Sequence, residues 1–398
     1  MTTTVSVRPL APSELGFTRA EVYVGYSVLV AGSLELARLA LAFDAVRTRN
    51  PILRAALLPR DGARFDITAP AEPRWSMTVV HDDPARAPVE VETDQYRALG
   101  VLHVVRGWDR TRVILLTHHS IADARHSLAL LGELWWAYGD PEGGAAALGA
   151  MRGYPHSVET LLTGAPPEPH DAPAVEPVPR QGSRALHTDR AHLSVARTAA
   201  LIDYTRMTGL TVNSVASAAI LLAESRIRGV PLTALRYLYA VDLRSRLRPS
   251  VGATGGTNVI GFADYRARVE RSGLLELAAD VAADLQRQLA AGDIERTALH
   301  GPDPAVPGVE LVRATNWGPI PPFPEPPGLT LSDFRAAMTV NPPDFPAPPR
   351  PGAVPPGEYV MHTADGRLSI EFLTRPGESA ASARRRVDLL GKILNELG

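Results

Sequence analysis

The chain has 398 residues, of which 45% are hydrophobic and 21% charged, and its formal net charge is −2. This composition excludes a disordered chain, and the length allows one large core or two ordinary ones, with two slightly favoured. The absence of cysteine excludes disulfide scaffolds, thiol nucleophiles, zinc ribbons and iron–sulfur clusters. Because the 41 basic and 43 acidic residues nearly balance in number, we expect neither nucleic acid nor an anionic membrane as a partner.

The start of the chain, MTTTV, lacks the basic segment followed by an apolar segment that marks a signal peptide. The longest apolar stretches are interrupted by Arg, Glu or Asp well before the length of a membrane-spanning helix. We therefore expect a soluble, cytoplasmic protein with no membrane partner.

The first half of the chain alternates strand and helix patterns. Apolar residues at helical spacing predict a helix over residues 33–50, and Asn50-Pro51 predicts its end. A second helix is predicted over residues 120–138. Segments rich in β-branched and aromatic residues predict strands at residues 22–30, 52–58, 74–80, 101–105 and 112–117. The last of these, RVILLT, is almost uniformly apolar, which is typical of a strand buried on both faces.

A Pro-rich, polar stretch over residues 164–185 predicts a linker between an N-terminal lobe (1–163) and a C-terminal lobe (186–398). In the second lobe, Thr211 or Asn213 is the expected cap of a helix that begins at residue 212. Asp365-Gly366 predicts the turn of a hairpin. The other predicted elements are strands at 191–195 and 235–241 and helices at 196–207, 274–289 and 378–397. Both halves share this mixture, which predicts two related α/β (α+β) sandwich-like lobes.

One segment concentrates chemically active residues: His118-His119-Ser120-Ile121-Ala122-Asp123-Ala124, between a buried strand and a helix. Successive side chains of a strand point to opposite faces, so we expect one histidine to be held inside while the other faces a cleft. We place Asp123 about one turn into the helix, too far along to be a simple N-cap. A buried carboxylate there needs a cationic partner.

Two other interpretations of this segment remain open. In the first, both histidines are buried in the core with their ring nitrogens hydrogen-bonded. In the second, His119, Asp123 and His126 bind a metal, although no Glu stands at a recognised hydrolase spacing and thiol ligands are absent. The glycine-rich stretch 252–256, GATGG, lacks the Lys and the following helix of a phosphate-binding loop, so we predict only a loop.

The histidine segment resembles the His-His-x-x-x-Asp-Gly motif of the condensation-domain superfamily of acyltransferases, which includes chloramphenicol acetyltransferase. The chain is most similar to the polyketide-associated branch, the phthiocerol dimycocerosyl transferase-like O-acyltransferases of actinobacteria. Further stretches resemble that branch in the same order: residues 10–26, 49–53, 212–222, 240–244, 257–258 and 315–318.

The resemblance implies two chloramphenicol acetyltransferase-like lobes arranged in a V, with a tunnel between them. It implies that His119 is the general base, that His118 is structural, and that the acceptor attacks an acyl thioester directly, without a covalent acyl-enzyme. It also implies that Asp123 is structural and pairs with Arg244 in a fork between the lobes. Histidine suits the role of base because its usual pKa lies near neutrality.

The chain departs from the motif at Ala124, where the family has Gly beside the donor channel, and the added methyl group either narrows that channel or is tolerated. Residues 333–335 begin like the plant branch's Asp-Phe-Gly-Trp-Gly but lose its glycines, which argues against that branch. Asn258 and Asn316 are weak candidates for oxyanion donors, with turn formation as the alternative. Trp317 is a weak candidate for the acceptor pocket, with packing as the alternative.

The expected activity is transfer of an acetyl or other short acyl group from acyl-CoA, or from a carrier-protein thioester, to a hydroxyl of a polyketide-type natural product. We expect no bound cofactor, with acyl-CoA (acetyl-CoA) or the carrier thioester as co-substrate. The expected partners of this monomer are the small hydroxyl acceptor and, as a further candidate, an acyl carrier protein. The alternatives are an amide-forming or carrier-dependent condensation enzyme and a non-catalytic interaction domain of the same fold.

Overall fold

A computed structural model of the chain describes residues 5–60, 64–69, 77–86, 90–140, 148–166, 182–304, 306–341, 357–374 and 378–396. The chain divides into two units. Unit 1 comprises Met1–Leu186, Arg244–Val259 and Phe323–Pro348, and unit 2 comprises His187–Leu243, Ile260–Pro322 and Pro349–Gly398. Two segments of the C-terminal half therefore belong to unit 1, whereas the sequence-based boundaries assume two contiguous lobes. Most of the predicted linker, residues 167–181, lies outside the described residues.

The regular elements of the described residues are as follows. The strands are β1 (Val5–Pro9), β2 (Tyr23–Gly32), β3 (Ala56–Arg60), β4 (Arg64–Ala69), β5 (Met77–His81), β6 (Gly100–Arg106), β7 (Arg110–His118), β8 (Arg184–Ala185), β9 (Thr188–His192), β10 (Leu235–Asp242), β11 (Ile260–Tyr265), β12 (Glu310–Pro319), β13 (Leu329–Val340), β14 (Glu358–Ala364) and β15 (Arg367–Leu373). The α-helices are α1 (Pro12–Leu15), α2 (Leu36–Arg49), α3 (Ala124–Gly139), α4 (Val158–Thr163), α5 (Val195–Thr208), α6 (Val212–Arg228), α7 (Leu274–Ala291), α8 (Asp293–His300) and α9 (Ala380–Asn395).

Unit 1 contains a six-stranded sheet in the order β5-β6-β7-β2-β13-β8 and a three-stranded sheet in the order β1-β4-β3. In the larger sheet β5 and β6 are parallel and the other pairs are antiparallel. Strand β7 lies between β6 and β2, and its residues from Thr111 to His118 are all buried. The apolar run predicted as a doubly buried strand is thus confirmed, and it carries the chain to the histidine pair.

Strand β13 explains why a late segment belongs to unit 1. It pairs antiparallel with β2, from Leu329 opposite Gly32 to Thr339 opposite Tyr23, with an irregularity between Ser332 and Arg335. Backbone hydrogen bonds along this ladder satisfy groups that burial would otherwise leave unpaired. The pairing therefore places a segment some three hundred residues distant in the chain in the N-terminal sheet.

Unit 2 contains a six-stranded sheet in the order β11-β10-β12-β14-β15-β9. The pairs β10–β12 and β12–β14 are parallel, and the others are antiparallel. The predicted hairpin is confirmed: β14 and β15 join at Asp365 and Gly366, whose φ angles are 49° and 69°. Positive φ at both central residues is typical of a two-residue hairpin turn that follows the twist of the strands.

The structure differs from the prediction at residues 52–58. Pro51–Arg54 forms a single 3-10 turn, and the strand begins only at Ala56. Proline fixes its own φ near −65°, which suits the first position of such a turn but not the start of an extended segment here. With strands and helices mixed in both units, the predicted α/β class is confirmed.

Within the described ranges, no single helix is both long and apolar enough to span a bilayer. The helices α5 and α6 meet that length and composition criterion only when taken together, and the pair is bent by 107° at its break.

Candidate active site

His118 is the last residue of β7 and His119 begins the turn that follows, and the two side chains have different surroundings. The His118 side chain is buried; the ring of Tyr23 meets it edge-on at 5.0 Å between centroids, and the Ser120 backbone N–H donates to its Nδ1 at 3.2 Å. The His119 side chain is only half-buried. His118 is therefore held inside unit 1, while His119 retains access to solvent.

A hydrogen bond of the His119 ring indicates which of its nitrogens carries the hydrogen. Its Nδ1 lies 3.1 Å from the carbonyl oxygen of Ala122. A carbonyl oxygen can only accept, so Nδ1 carries the hydrogen and the neutral imidazole keeps its lone pair on Nε2. The ring also stacks on Phe17, with centroids 4.0 Å apart and planes 21° from parallel. The imidazole is thus fixed in position and in tautomer.

Asp123 is the N-cap of helix α3, which corrects the expectation that it lies too far along to be one. The chain forms a turn over residues 119–121 and the helix begins at Ala124, so Asp123 precedes the first helical residue. One carboxylate oxygen, Oδ1, accepts from the His126 backbone N–H at 3.0 Å, and the other, Oδ2, accepts from the Val259 backbone N–H at 2.9 Å. The first bond caps the helix, and the second ties the cap residue to Val259.

The same carboxylate binds the predicted arginine. Arg244 Nη1 donates to Asp123 Oδ2 at 2.7 Å and Nη2 donates to Oδ1 at 3.0 Å, with both side chains buried. Arg244 Nη2 also donates to the Ala253 carbonyl at 3.1 Å. Both residues belong to unit 1, which corrects the expected fork between lobes, because the segment 244–259 packs with the N-terminal unit. With four donors on two oxygens, this carboxylate is structural rather than reactive.

Residues 256–259, here called the clasp, each contact the histidine segment or the first turn of α3. The Gly256 carbonyl lies 3.1 Å from His126 Nδ1, and the Thr257 carbonyl accepts from the Asp123 backbone N–H at 3.1 Å. Asn258 Nδ2 donates to the His119 carbonyl at 2.6 Å, and Val259 binds Asp123 as described. The clasp therefore fixes both the backbone of His119 and the first turn of α3.

Two features of the clasp have clear physical causes. A Cβ at Gly256 would lie 2.3 Å from a Val259 methyl carbon, so only glycine fits. The pKa of His126 is lowered to about 4, chiefly by burial, so its ring is neutral and Nδ1 donates to the Gly256 carbonyl. The glycine-rich stretch 252–256 is thus a loop, as predicted, and its last residue, Gly256, binds the His126 ring.

Ala124, which replaces the motif glycine, is the first residue of α3 and is half-buried. Its carbonyl accepts a 2.5 Å hydrogen bond from the Tyr26 hydroxyl. Burial, reinforced by the negative charge of Asp123, raises the pKa of Tyr26 well above its ordinary value, so this hydroxyl stays a donor. The effect of the extra methyl group on the donor channel stays a prediction.

Glu14 is a residue of this site that the sequence analysis missed. It is fully buried, and its carboxylate accepts two 2.7 Å hydrogen bonds from Arg8, one of 2.8 Å from the Ala11 backbone and one of 2.7 Å from Thr257 Oγ1. Its carbonyl accepts from Ser120 Oγ at 2.6 Å. The available signal is Pro at the first and Glu at the third position of a helix start, which is typical of capping.

Asn316 and Trp317 belong to β12, in unit 2. Asn316 Nδ2 donates to Asn213 Oδ1 at 2.9 Å, and its Oδ1 accepts from the Gly318 backbone at 2.8 Å. The Trp317 ring stacks on His362 at 6.0 Å between centroids. The contacts of Asn316 are those of an amide that stabilises a turn, and the contact of Trp317 is one of side-chain packing. That either residue acts on a substrate stays a prediction.

The metal interpretation requires His119, Asp123 and His126 to act together. The Asp123 carboxylate is bonded to Arg244, and His126 Nδ1 is engaged with a backbone carbonyl. In the part of the chain that the structure describes, no group of three or more His, Asp or Glu side chains is placed to hold a metal ion.

Comparisons with known proteins show which family the chain resembles. Residues 182–373 match the family model described as phthiocerol/phthiodiolone dimycocerosyl transferase C-terminus. A phthiocerol/phthiodiolone dimycocerosyl transferase of Mycobacterium ulcerans (strain Agy99) is 31% identical over 399 residues, covering 92% of this chain and 91% of that protein.

Two solved structures extend the comparison. Polyketide synthase associated protein 5 from Mycobacterium tuberculosis aligns over 100% of both chains, with a TM-score of 0.80 and 26% identity. The first condensation domain of the CDA synthetase covers 97% of this chain and 95% of its own, with a TM-score of 0.66 and 15% identity, which shows a shared fold alone. The predicted resemblance is confirmed, and the protein is an acyltransferase of the polyketide-associated kind. The chain belongs to the phthiocerol/phthiodiolone dimycocerosyl transferase family.

Proposed function

We propose that this protein is an O-acyltransferase that moves an acetyl or other short acyl group from acyl-CoA, or from a carrier-protein thioester, to a hydroxyl of a polyketide-type product. His119 is the general base in this proposal. The names of the relatives specify a mycocerosyl group and a phthiocerol or phthiodiolone acceptor for those proteins. For this chain we carry over the reaction class and not those substrates.

The observation that carries the proposal is the bond between His119 Nδ1 and the Ala122 carbonyl. It places the lone pair of the neutral imidazole on Nε2, and the ring is only half-buried. A general base needs this combination of correct tautomer, fixed orientation and access. Asn258 holds the backbone of His119, and the Asp123–Arg244 pair holds the start of the helix that follows it.

The reaction balances with these groups alone. As the acceptor oxygen bonds to the thioester carbonyl carbon, its proton moves to Nε2 of His119. The tetrahedral intermediate then collapses, the carbon–sulfur bond breaks, and the imidazolium returns the proton to the departing thiolate. The products are an ester and a free thiol, and no enzyme thiol takes part, in accord with a chain that has no cysteine.

The test is turnover of the purified protein with acetyl-CoA and an aliphatic alcohol such as n-octanol, followed as released thiol and as ester. We expect His119→Ala to lower kcat/KM by about 10²–10⁴-fold, the usual contribution of a general base. His300→Ala, which removes an exposed histidine at the end of α8, is the matched control and should turn over like wild type. Equal turnover by His119→Ala and wild type would overturn the proposal.

The same assay separates the donors and acceptors. A longer acyl-CoA and an acyl group tethered to a carrier protein replace acetyl-CoA in parallel reactions, and a primary amine replaces the alcohol. Faster transfer to the alcohol supports O-acylation. Faster transfer to the amine, or strict dependence on the carrier, would instead favour the condensation-type alternative.

A further inference from the structure

Phe17 lies face to face with His119. The two ring centroids are 4.0 Å apart, the planes deviate by 21°, and both side chains are half-buried. Aromatic pairs more often adopt offset or edge-on arrangements, and the Tyr23–His118 pair next to it is edge-on. The face of the Phe17 ring is thus turned toward the ring that the proposed reaction protonates.

Two sets of hydrogen bonds hold Phe17 in this place. On its N-terminal side, Ser120 Oγ donates to the Glu14 carbonyl at 2.6 Å, which ties α1 to the residue that follows His119. On its C-terminal side, the Val22 N–H donates to the Phe17 carbonyl at 3.1 Å, and the His119 N–H donates to the Val22 carbonyl at 2.8 Å. The backbone on both sides of Phe17 is therefore tied to the segment that carries His119.

The face of a benzene ring is electron-rich and attracts a cation within about 6 Å of its centroid, whereas a neutral partner gains much less. The charged and titratable groups on the segments around His119 are Arg8, Glu14, Arg19, Glu21, Tyr23, Tyr26, His118, Asp123, Arg125, His126 and Arg244. Of the carboxylates, Glu14 pairs with Arg8 and Asp123 pairs with Arg244, while Glu21 accepts hydrogen bonds from the Gln95 backbone N–H and from Asn341 Nδ2. The Phe17 face is therefore a distinct source of stabilisation for a positive charge on His119.

We propose that Phe17 is a positioning residue for catalysis: its ring fixes the plane of the His119 imidazole and stabilises the imidazolium that forms when His119 accepts the acceptor's proton. This inference rests on the proposed role of His119 as general base. It assigns a function to the segment 10–26, which the sequence analysis linked to the family without giving any residue in it a role.

The pKa of His119 measures this interaction directly in the resting enzyme. Histidine labelled with ¹³C gives one NMR titration curve per residue, and the signal missing from His119→Gln identifies His119. Phe17→Leu keeps an apolar side chain but removes the ring face, so the His119 pKa should fall by roughly half to one and a half units. The acid limb of the pH profile of kcat/KM should move in the same direction. Phe17→Tyr keeps the ring face and should retain the wild-type pKa.

Two further proteins separate electrostatics from packing. Pentafluorophenylalanine at position 17 keeps the ring but reverses the charge of its face, so the His119 pKa should fall even if the fold and the thermal midpoint are unchanged. Phe43→Leu removes a buried ring of α2 in the same unit and should leave the His119 pKa alone. This pair keeps the test valid if Phe17→Leu does not fold.

An unchanged His119 pKa in the fluorinated protein would overturn the inference, as would an equal fall in Phe43→Leu. Neither measurement requires turnover. If His119→Ala remains fully active, the proposed function fails, and the titration then still reports whether the stack stabilises the imidazolium.

Discussion

Arg244 binds both oxygens of the Asp123 carboxylate, at 2.7 and 3.0 Å, with both side chains buried in unit 1. The carboxylate simultaneously caps helix α3 and binds the clasp, so one ion pair fixes three pieces of chain around His119. The pair is thus a support for the catalytic histidine in the proposed reaction.

Arg244→Ala should destabilise the protein by about 3–5 kcal/mol, because it leaves the Asp123 charge buried without its partner. Arg244→Lys should recover only part of this loss, since an ammonium group cannot form the two-pronged contact. Urea unfolding measures the change. The control is Arg206→Ala, which breaks an exposed pair with Asp203 and should cost at most about 1 kcal/mol. Equal losses in the two alanine variants would contradict a structural role for Arg244.

Asn258→Ala should have a large effect on kcat and only a small effect on the free energy of unfolding. The substitution removes the 2.6 Å bond to the His119 carbonyl, an interaction worth about 1 kcal/mol, and frees the backbone that carries the base. We expect about a tenfold fall in kcat, since small displacements of a catalytic group are costly. Asn50→Ala is the control, because Asn50 is a buried amide of unit 1 that binds Val46 and Glu133 instead. Were both variants to lose kcat equally, the clasp would have no specific role.

Ala124→Gly restores the residue found in the family motif. Glycine is a poorer helix former than alanine by up to about 1 kcal/mol, so stability should fall slightly. If the methyl group narrows the donor channel, the KM for acyl-CoA should fall while the KM for the alcohol stays constant. Steady-state kinetics with each substrate varied in turn decides this. An unchanged KM for acyl-CoA would show that the methyl group is merely tolerated.

Stability should decline as the pH falls from about 6.5 to about 4. The pKa values of His103, His126 and His362 are each lowered to about 4, chiefly by burial, from an ordinary value of 6.5. Because the folded-state pKa is depressed, the unfolded chain binds more protons in this window, and each group removes up to about 1.4 kcal/mol per pH unit. Above pH 6.5 both states are neutral and this contribution is constant.

His126→Gln tests the origin of that slope, since the amide can still donate to the Gly256 carbonyl but does not titrate. We expect its free energy of unfolding to change less steeply than that of wild type between pH 6.5 and 4. His300→Gln removes an exposed histidine and should keep the wild-type slope. A His126→Gln slope as steep as that of wild type would show that protonation of His126 does not drive the loss.

Local patterns in the sequence predicted those elements whose causes are local. The helix that begins at Val212 has Thr211 as its cap, one of the two predicted, because the Thr hydroxyl accepts from the Ser214 backbone only three residues away. The hairpin turn at Asp365-Gly366 likewise depends on the φ preferences of two adjacent residues.

Asp123 and Glu14 are two residues whose contacts local sequence patterns do not predict. The apolar pattern that begins at Ile121 predicts Asp123 inside the helix, but a turn at 119–121 delays the helix start. That turn is held by clasp residues more than one hundred positions away, such as Asn258. Glu14 lacks any signal beyond a capping pattern, since its partner Thr257 is brought to it only by folding.

By itself the sequence determined the mixed α/β class, the absence of thiol chemistry and the histidine motif that points to an acyltransferase. Only the tertiary structure decided that the segments 244–259 and 323–348 join unit 1 and that Phe17 faces His119. The physical reason is that periodicity and capping act over a few residues. By contrast, strand pairing such as β13 with β2, and a buried pair such as Asp123 with Arg244, depend on which distant groups satisfy one another once water is excluded.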